Sequence, residues 1–440
     1  MSTRQPIIFC GYDSSKVAGG PIVWLQRLLP DLVAKGFEVH ALLMLWDSPD
    51  VCVLKKHLED SAVPIRTLQI DWKVPAERRV RWIIEQAQDI KPAVLVANHV
   101  IPAYIASPYL QAFGVKTVGV IHSDDVFYEA LIEHFYVNPE WHSPDVIIPV
   151  SQHLESSIHH KIPNDVLLKR IPCGCPLPEL ANHRLQNTGE LRVMYAGRIV
   201  QEQKRILDLT DAFIAASCSA PGFKFSIFGD GPEQEQVVER LAKANNPNVI
   251  FHGSVTPQEI IDQMAQHDAF VLMSDYEGLP IALVEAMACG LVPICLKTRS
   301  GSTEIINDRI NGLIINDRKA SFISALNLLA EDNNLRHQLA ANARKTVEEE
   351  YSTSINHGRW AKLLAQLSTE SETNLRSIKL PSKINLPPVD PRFRGEDTRG
   401  RRRTVLWRNR LLHCWSQLKQ QIAPRARLRR ALHRLRNREF

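Results

Sequence analysis

Two acids eight residues apart, Glu277 and Glu285, bracket the turn Gly278-Leu279-Pro280-Ile281 and an apolar run that stops at Gly290. A glycine permits the tight turn, Pro280 can open a short helix and Gly290 can close it, so Glu277 lies in the loop and Glu285 one turn into the helix. Glu285 can there accept both hydroxyls of a ribose, and Glu277 can meet hydroxyls of a sugar. The helix dipole alone also favours acids at this end, so it is the pair together with the turn that speaks for a ligand. Upstream, Gly197-Arg198 closes another apolar run, and Lys204 follows six residues later, where a helix is expected to start. A fixed arginine and lysine converging on a helix N-terminus neutralise a diphosphate, which a departing nucleotide needs as its charge develops; the plain alternative is a solvated basic face. Gly19-Gly20-Pro21 precedes Ile22, Leu25, Leu29, Leu32 and Val33 at helical spacing. These glycines either let backbone approach a ligand closely or simply make a turn. His122 ends the run 116–121, a place where a lone histidine is ordinarily a packing residue, with Asp124 and Asp125 placed to orient it or to cap the next segment.

Short apolar runs alternate with amphipathic segments in the rhythm of parallel sheets covered by helices. The first set of strands is expected at 7–10, 38–45, 93–97, 116–121 and 146–150, and a second at 191–196, 224–228, 249–252, 269–273, 292–296 and 312–315. The fold class implied is α/β, two Rossmann-like domains facing across a cleft, and ligands in such sheets lie at the carboxyl ends of the strands. The expected domains are 1–178 on the acceptor side, 179–350 for the nucleotide, a helix over 351–368 packing back on the first domain, and 369–440 as linker and tail. Proline- and glycine-rich 171–178 reads as the hinge, and 368–391 as a flexible linker.

A chain of 440 residues suits two domains with sizeable cores. It has no apolar run of membrane-spanning length and opens without a signal peptide, so a cytoplasmic location is expected. The eight cysteines are scattered, and Cys173 and Cys175 lack the partners of a metal site. The net charge of +5 conceals a tail, 391–440, with fifteen arginines and one lysine against Glu396, Asp397 and Glu439, which leaves the body net acidic. Within it Trp407, Leu411, Trp415, Leu418 and Ile422 form one helical face among arginines, up to Pro424. Such a helix suits an anionic membrane surface contacted through 401–438. A disordered or protein-binding tail is the rival reading, and nucleic acid is not expected because the body supplies no basic groove.

Gly19-Gly20, Gly197-Arg198 with Lys204, and Glu277-Gly278-Leu279-Pro280 running to Glu285 and Gly290 occur together in an order that resembles family 4 of the retaining glycosyltransferases, with the GT-B fold, over roughly residues 5–367. The resemblance implies that Arg198 and Lys204 grip the donor diphosphate, that Glu285 binds the ribose and that Glu277 lies at the transferred sugar. It further implies that Gly278, Leu279, Pro280 and Ile281 touch sugar or phosphate through their backbone, that Gly20 reaches the phosphate, and that His122 stands near the reacting centre. Gly229 and Gly253, with their neighbours, fall where the family's nucleotide contacts cluster. The Arg198–Lys204 interval is one residue longer than the family's common pattern, so part of the lysine role can fall to Arg205. The implied reaction moves a hexose-type sugar from a nucleotide-diphosphate donor to a glycan, lipid-linked or small-molecule acceptor, with loops near 46–50 and 124–138 meeting the acceptor. No metal or other cofactor is expected. A nucleotide-sugar epimerase or hydrolase, and an inactive nucleotide-sugar-binding module, remain alternatives on the same scaffold.

Overall fold

The computed structural model describes residues 5–15, 19–71, 73–138, 144–179, 190–220, 222–298, 300–371, 380–388 and 390–393. The Arg-rich stretch 401–438, with its expected helix, lies outside the described residues. The first seven strands, β1 Ile7–Asp13, β2 Val39–Leu45, β3 Ile65–Gln69, β4 Val94–Asn98, β5 Lys116–Ile121, β6 Val146–Pro149 and β7 Leu167–Leu168, form one sheet in the order β3-β2-β1-β4-β5-β6-β7. A second sheet has six strands, β8 Leu191–Ala196, β9 Phe223–Phe228, β10 Val249–Gly253, β11 Ala269–Leu272, β12 Val292–Leu296 and β13 Leu313–Ile315, in the order β10-β9-β8-β11-β12-β13. Every pairing within them is parallel. Central strands such as Ile7-Ile8-Phe9-Cys10 are buried on both faces, which is why they read as unbroken apolar runs. The two strands absent from the expectations are edge strands: β3, Ile-Arg-Thr-Leu-Gln, is only part-buried, and β7 has two residues.

The helix Gly20–Ala34 buries Trp24, Leu25, Leu28, Leu29 and Leu32 along one stripe. Helix Thr353–Glu370 packs across it and β4, joined by an aromatic cluster in which Trp24 and Trp360 lie 5.3 Å apart and Phe9 lies 6.2 and 6.3 Å from them. The chain thus crosses between the sheets twice. The two crossings run side by side: Cys175 donates its N–H to Tyr351 O at 2.8 Å, and Thr353 N–H donates to Cys175 O at 2.9 Å. A side chain at Gly174 would press within 2.9 Å of Thr353 Cα, so the crossing needs glycine there.

The stretch 368–391, expected to be a flexible linker, is in part seated on the first domain. Its first residues complete the helix that ends at Glu370. Farther on, Arg81 donates to the carbonyls of Pro381 and Ser382 at 2.9 and 2.8 Å, and Asn385 N–H donates to Tyr109 Oη at 2.9 Å. Arg392 joins Glu133 and Asp390, while Phe393 packs on Phe127 and His134. Proline and serine content signals the lack of regular structure here, and it says nothing about docking through side chains.

Candidate active site

In each sheet the chain reverses its direction of growth at one place, between β1 and β4 in the first and between β8 and β11 in the second. The loops leaving these strands at their carboxyl ends diverge there and open a crevice. Gly19-Gly20 follows β1, Asn98-His99 closes β4, Gly197-Arg198 follows β8, and Ser274 to Pro280 follows β11. The candidate residues are therefore gathered by topology at the two switch points, and His122 joins them from the end of the adjacent β5.

On the second domain, Arg198 donates through Nη2 to Gln203 Oε1. The Gln203 amide nitrogen donates to Tyr276 O at 3.0 Å and lies 3.5 Å from Glu277 Oε2. Lys204 Nζ reaches Glu277 Oε1 at 2.5 Å. Both partners are largely buried, with side chains 14% and 6% exposed, so this ion pair is poorly screened and strongly oriented. Lys204 does not start a helix as expected. It ends the single turn Gln201–Lys204, and Arg205, at φ 53, breaks that turn from the helix Ile206–Ser219. The left-handed residue points Lys204 inward and sends Arg205 to Asp275 at 2.6 Å, an acid also held by Arg318 at 2.6 Å. Arg205 is thus engaged away from Glu277.

Backbone packing explains the glycines. A Cβ on Gly229, whose φ is +138, would lie 1.9 Å from Gly197 O. Gly253, at φ +74, has open space around it, and its neighbour His252 stacks on Phe228 with centroids 4.4 Å apart. The helix Ile281–Ala288 starts after Pro280 and ends where Gly290 turns left-handed at φ 71, so Glu285 does stand one turn in.

On the first domain, His122 is buried, with Trp24 edge-on at 5.2 Å. Its Nε2 lies 2.8 Å from Asn98 Oδ1. An amide oxygen only accepts, so the proton sits on Nε2 and Nδ1 keeps a lone pair. Burial, reinforced by the nearby His99, pushes the His122 pKa down to about 3, and the ring is neutral at physiological pH. Asp125 caps the next helix, Val126–Ile132, and Asp124 binds His153 at 2.9 Å rather than His122. Trp46, at the end of β2, is 41% exposed, with the Arg79 guanidinium 5.3 Å from its ring centroid and Tyr12 at 6.1 Å.

The two halves touch at the site itself. A side chain at Gly278 would fall 1.9 Å from His122 O, and one at Gly20 would fall 3.5 Å from Ile281 Cδ1. Glu304, from the second domain, accepts the N–H groups of Gln152 and His153 at 3.0 and 2.8 Å. Glu285 pairs with Arg27 of the helix that begins at Gly20. Sequence reasoning missed Gln203, Asn98 and Arg27. No local pattern marks them, because each matters through a contact with a residue distant in sequence.

Residues 178–346 match the family model described as Glycosyl transferases group 1. The amylovoran biosynthesis glycosyltransferase AmsK of Erwinia amylovora is 24% identical over 327 residues, 66% of this chain and 76% of that protein. A Campylobacter jejuni N-acetylgalactosaminyltransferase named for a diphospho-undecaprenol-linked acceptor is 26% identical over 176 residues, 40% of this chain and 48% of that one. Among solved structures, Anabaena HepE in complex with UDP superposes with a TM-score of 0.65 at 18% identity, covering 82% of this chain and all of that one. Two facing parallel sheets and the loops gathered at their switch points converge with the structural likeness: the chain has the GT-B fold, and its residues 178–346 are similar to the glycosyl transferases group 1 family.

Proposed function

We propose that the chain is a retaining hexosyltransferase that moves a sugar from a nucleotide-diphosphate donor to a glycan or lipid-linked acceptor of the cell envelope. The observation that carries this reading is the chain of contacts Arg198–Gln203–Glu277–Lys204 at one switch point, closed over by Gly278 against His122 from the other domain. The buried Lys204–Glu277 pair is held there with the exposed Arg198 tied to it through Gln203, an arrangement suited to a donor whose leaving group is a diphosphate and whose transferred group is a polyol. The support from relatives is of the same kind: AmsK is named for polysaccharide synthesis, the Campylobacter enzyme for a lipid-diphosphate acceptor, and HepE was solved with UDP.

In this reading the C1–O bond to the diphosphate breaks through an oxocarbenium-like state. The leaving oxygens are stabilised by Arg198 and Lys204, while Glu277 orients the sugar and fixes Lys204. The acceptor hydroxyl attacks on the face the diphosphate has left, and a leaving phosphate oxygen takes its proton. Neutral His122 accepts a hydrogen bond from a sugar hydroxyl through Nδ1 without adding charge. Glu285 binds the ribose, and Gly19, Gly20, Gly197, Gly229, Gly253 and the backbone of 278–281 shape the donor cleft. The two fixed cations do the charge work of a divalent ion. Stretch 401–438 is assigned to an anionic membrane surface, beside which a lipid-linked acceptor is presented.

The deciding experiment incubates the protein with UDP- and GDP-hexoses, with and without lipid-linked glycan acceptors, in the presence of EDTA. Acceptor-dependent transfer with the donor's anomeric configuration kept, read from the anomeric proton coupling, is expected. Epimerisation or release without acceptor, inversion, or loss of turnover with chelator would overturn the corresponding part. Deleting 394–440, which spares the docked residues 380–393, should abolish binding to anionic liposomes and leave donor-nucleotide binding intact.

A further inference from the structure

The helix that carries Glu285, Ile-Ala-Leu-Val-Glu-Ala-Met-Ala, has no other polar side chain. Its own element therefore cannot fix the carboxylate. The side chain that does so is Arg27, from the first domain, 258 residues away in sequence. Arg27 and Glu285 are 22% and 16% exposed, and the thiols of Cys173 and Cys175 close by are kept neutral by burial. The pair thus stands in a poorly hydrated pocket where charge pairing is directional. Arg27 occupies one carboxylate oxygen, Oε1, and the other keeps its lone pairs. Among the described residues, Nη1 of Arg27 is buried without a hydrogen-bond partner, so the guanidinium is directed at Glu285 alone. The pair lies beside the crossing at 173–175.

We infer that Arg27 is a positioning residue for ribose recognition: it holds Glu285 from the opposite domain so that one carboxylate oxygen faces the vicinal diol of the donor nucleotide. This rests on the reading of Glu285 as the ribose contact.

The test measures binding of UDP, GDP and ADP, and of their 2′-deoxy counterparts, to the full chain by calorimetry. The wild type should prefer the ribonucleotide it binds by about tenfold, the size of one hydrogen bond to a charged group. Arg27→Gln should erase that preference by weakening only the ribo form, Arg27→Lys should keep part of it, and Arg27→Gln combined with Glu285→Gln should be no worse than Glu285→Gln alone. If Arg27→Gln weakens ribo and deoxy forms equally, or leaves the preference intact while Glu285→Gln erases it, the positioning role is overturned. If Glu285→Gln itself keeps the preference, or no ribonucleotide binds the wild type, the donor reading beneath it falls instead.

Discussion

Gly278 lies against the carbonyl of His122 so closely that a single added methyl would overlap the oxygen at 1.9 Å. The loop that begins the helix Ile281–Ala288 and the end of β5 thus meet backbone to backbone across the cleft. Gly278→Ala should hold the domains apart. Overpacking of this kind costs about 1–3 kcal/mol, so turnover should fall roughly 10- to 100-fold. Nucleotide binding to the second domain should survive in part. Small-angle scattering should show a larger radius of gyration in solution, and an unchanged radius with full turnover would refute the contact's role.

Lys204 and Glu277 neutralise one another in a place that water barely reaches. Lys204→Met leaves the Glu277 carboxylate buried without its cation, which should cost about 3–5 kcal/mol in urea unfolding. Adding Glu277→Gln should restore most of that stability and none of the activity. A double variant as unstable as Lys204→Met alone would show that the pair is not coupled.

His122 and His99 are pushed down to about 3 and about 4, each chiefly by burial. Their folded pKa values lie below the unfolded value of about 6.5. The unfolded chain therefore binds more protons between pH 6.5 and pH 4, and stability falls as pH drops through that window, by up to about 1.4 kcal/mol per pH unit for each group. Above pH 7 the two groups contribute no slope. His122→Gln should flatten the profile between pH 5 and 6.5, measured by denaturant midpoints; an unaltered slope would mean that His122 is already charged in the fold.

Arg392 holds Asp390 and Glu133 together at the end of the docked stretch, and the Asp390 carboxyl is pulled down to about 2 mainly by its hydrogen bonds to Arg392. Arg392→Ala should cost about 2 kcal/mol, and it should speed amide exchange in the helix Val126–Ile132, against which Phe393 packs. Exchange rates in that helix unchanged from the wild type would show that the docking contributes nothing to it.

The parts of this protein legible in its sequence are those encoded locally. Buried parallel strands write unbroken apolar runs, so the central strands of both sheets were visible, and loops at their carboxyl ends delivered Gly197-Arg198 and the turn from Glu277 to Glu285. The edge strand Ile65–Gln69 was not visible, because half-exposure breaks the run into mixed residues. Lys204 was expected at the start of its element and stands at the end, since a left-handed Arg205 has no sequence mark of its own. Only the tertiary structure brought Arg27 to Glu285, Asn98 to His122 and Arg392 to Glu133. Such pairs depend on how whole helices and sheets settle against each other, and that choice is made by the packing of many apolar side chains at once, so no periodicity or motif along the chain records which charged groups it leaves face to face.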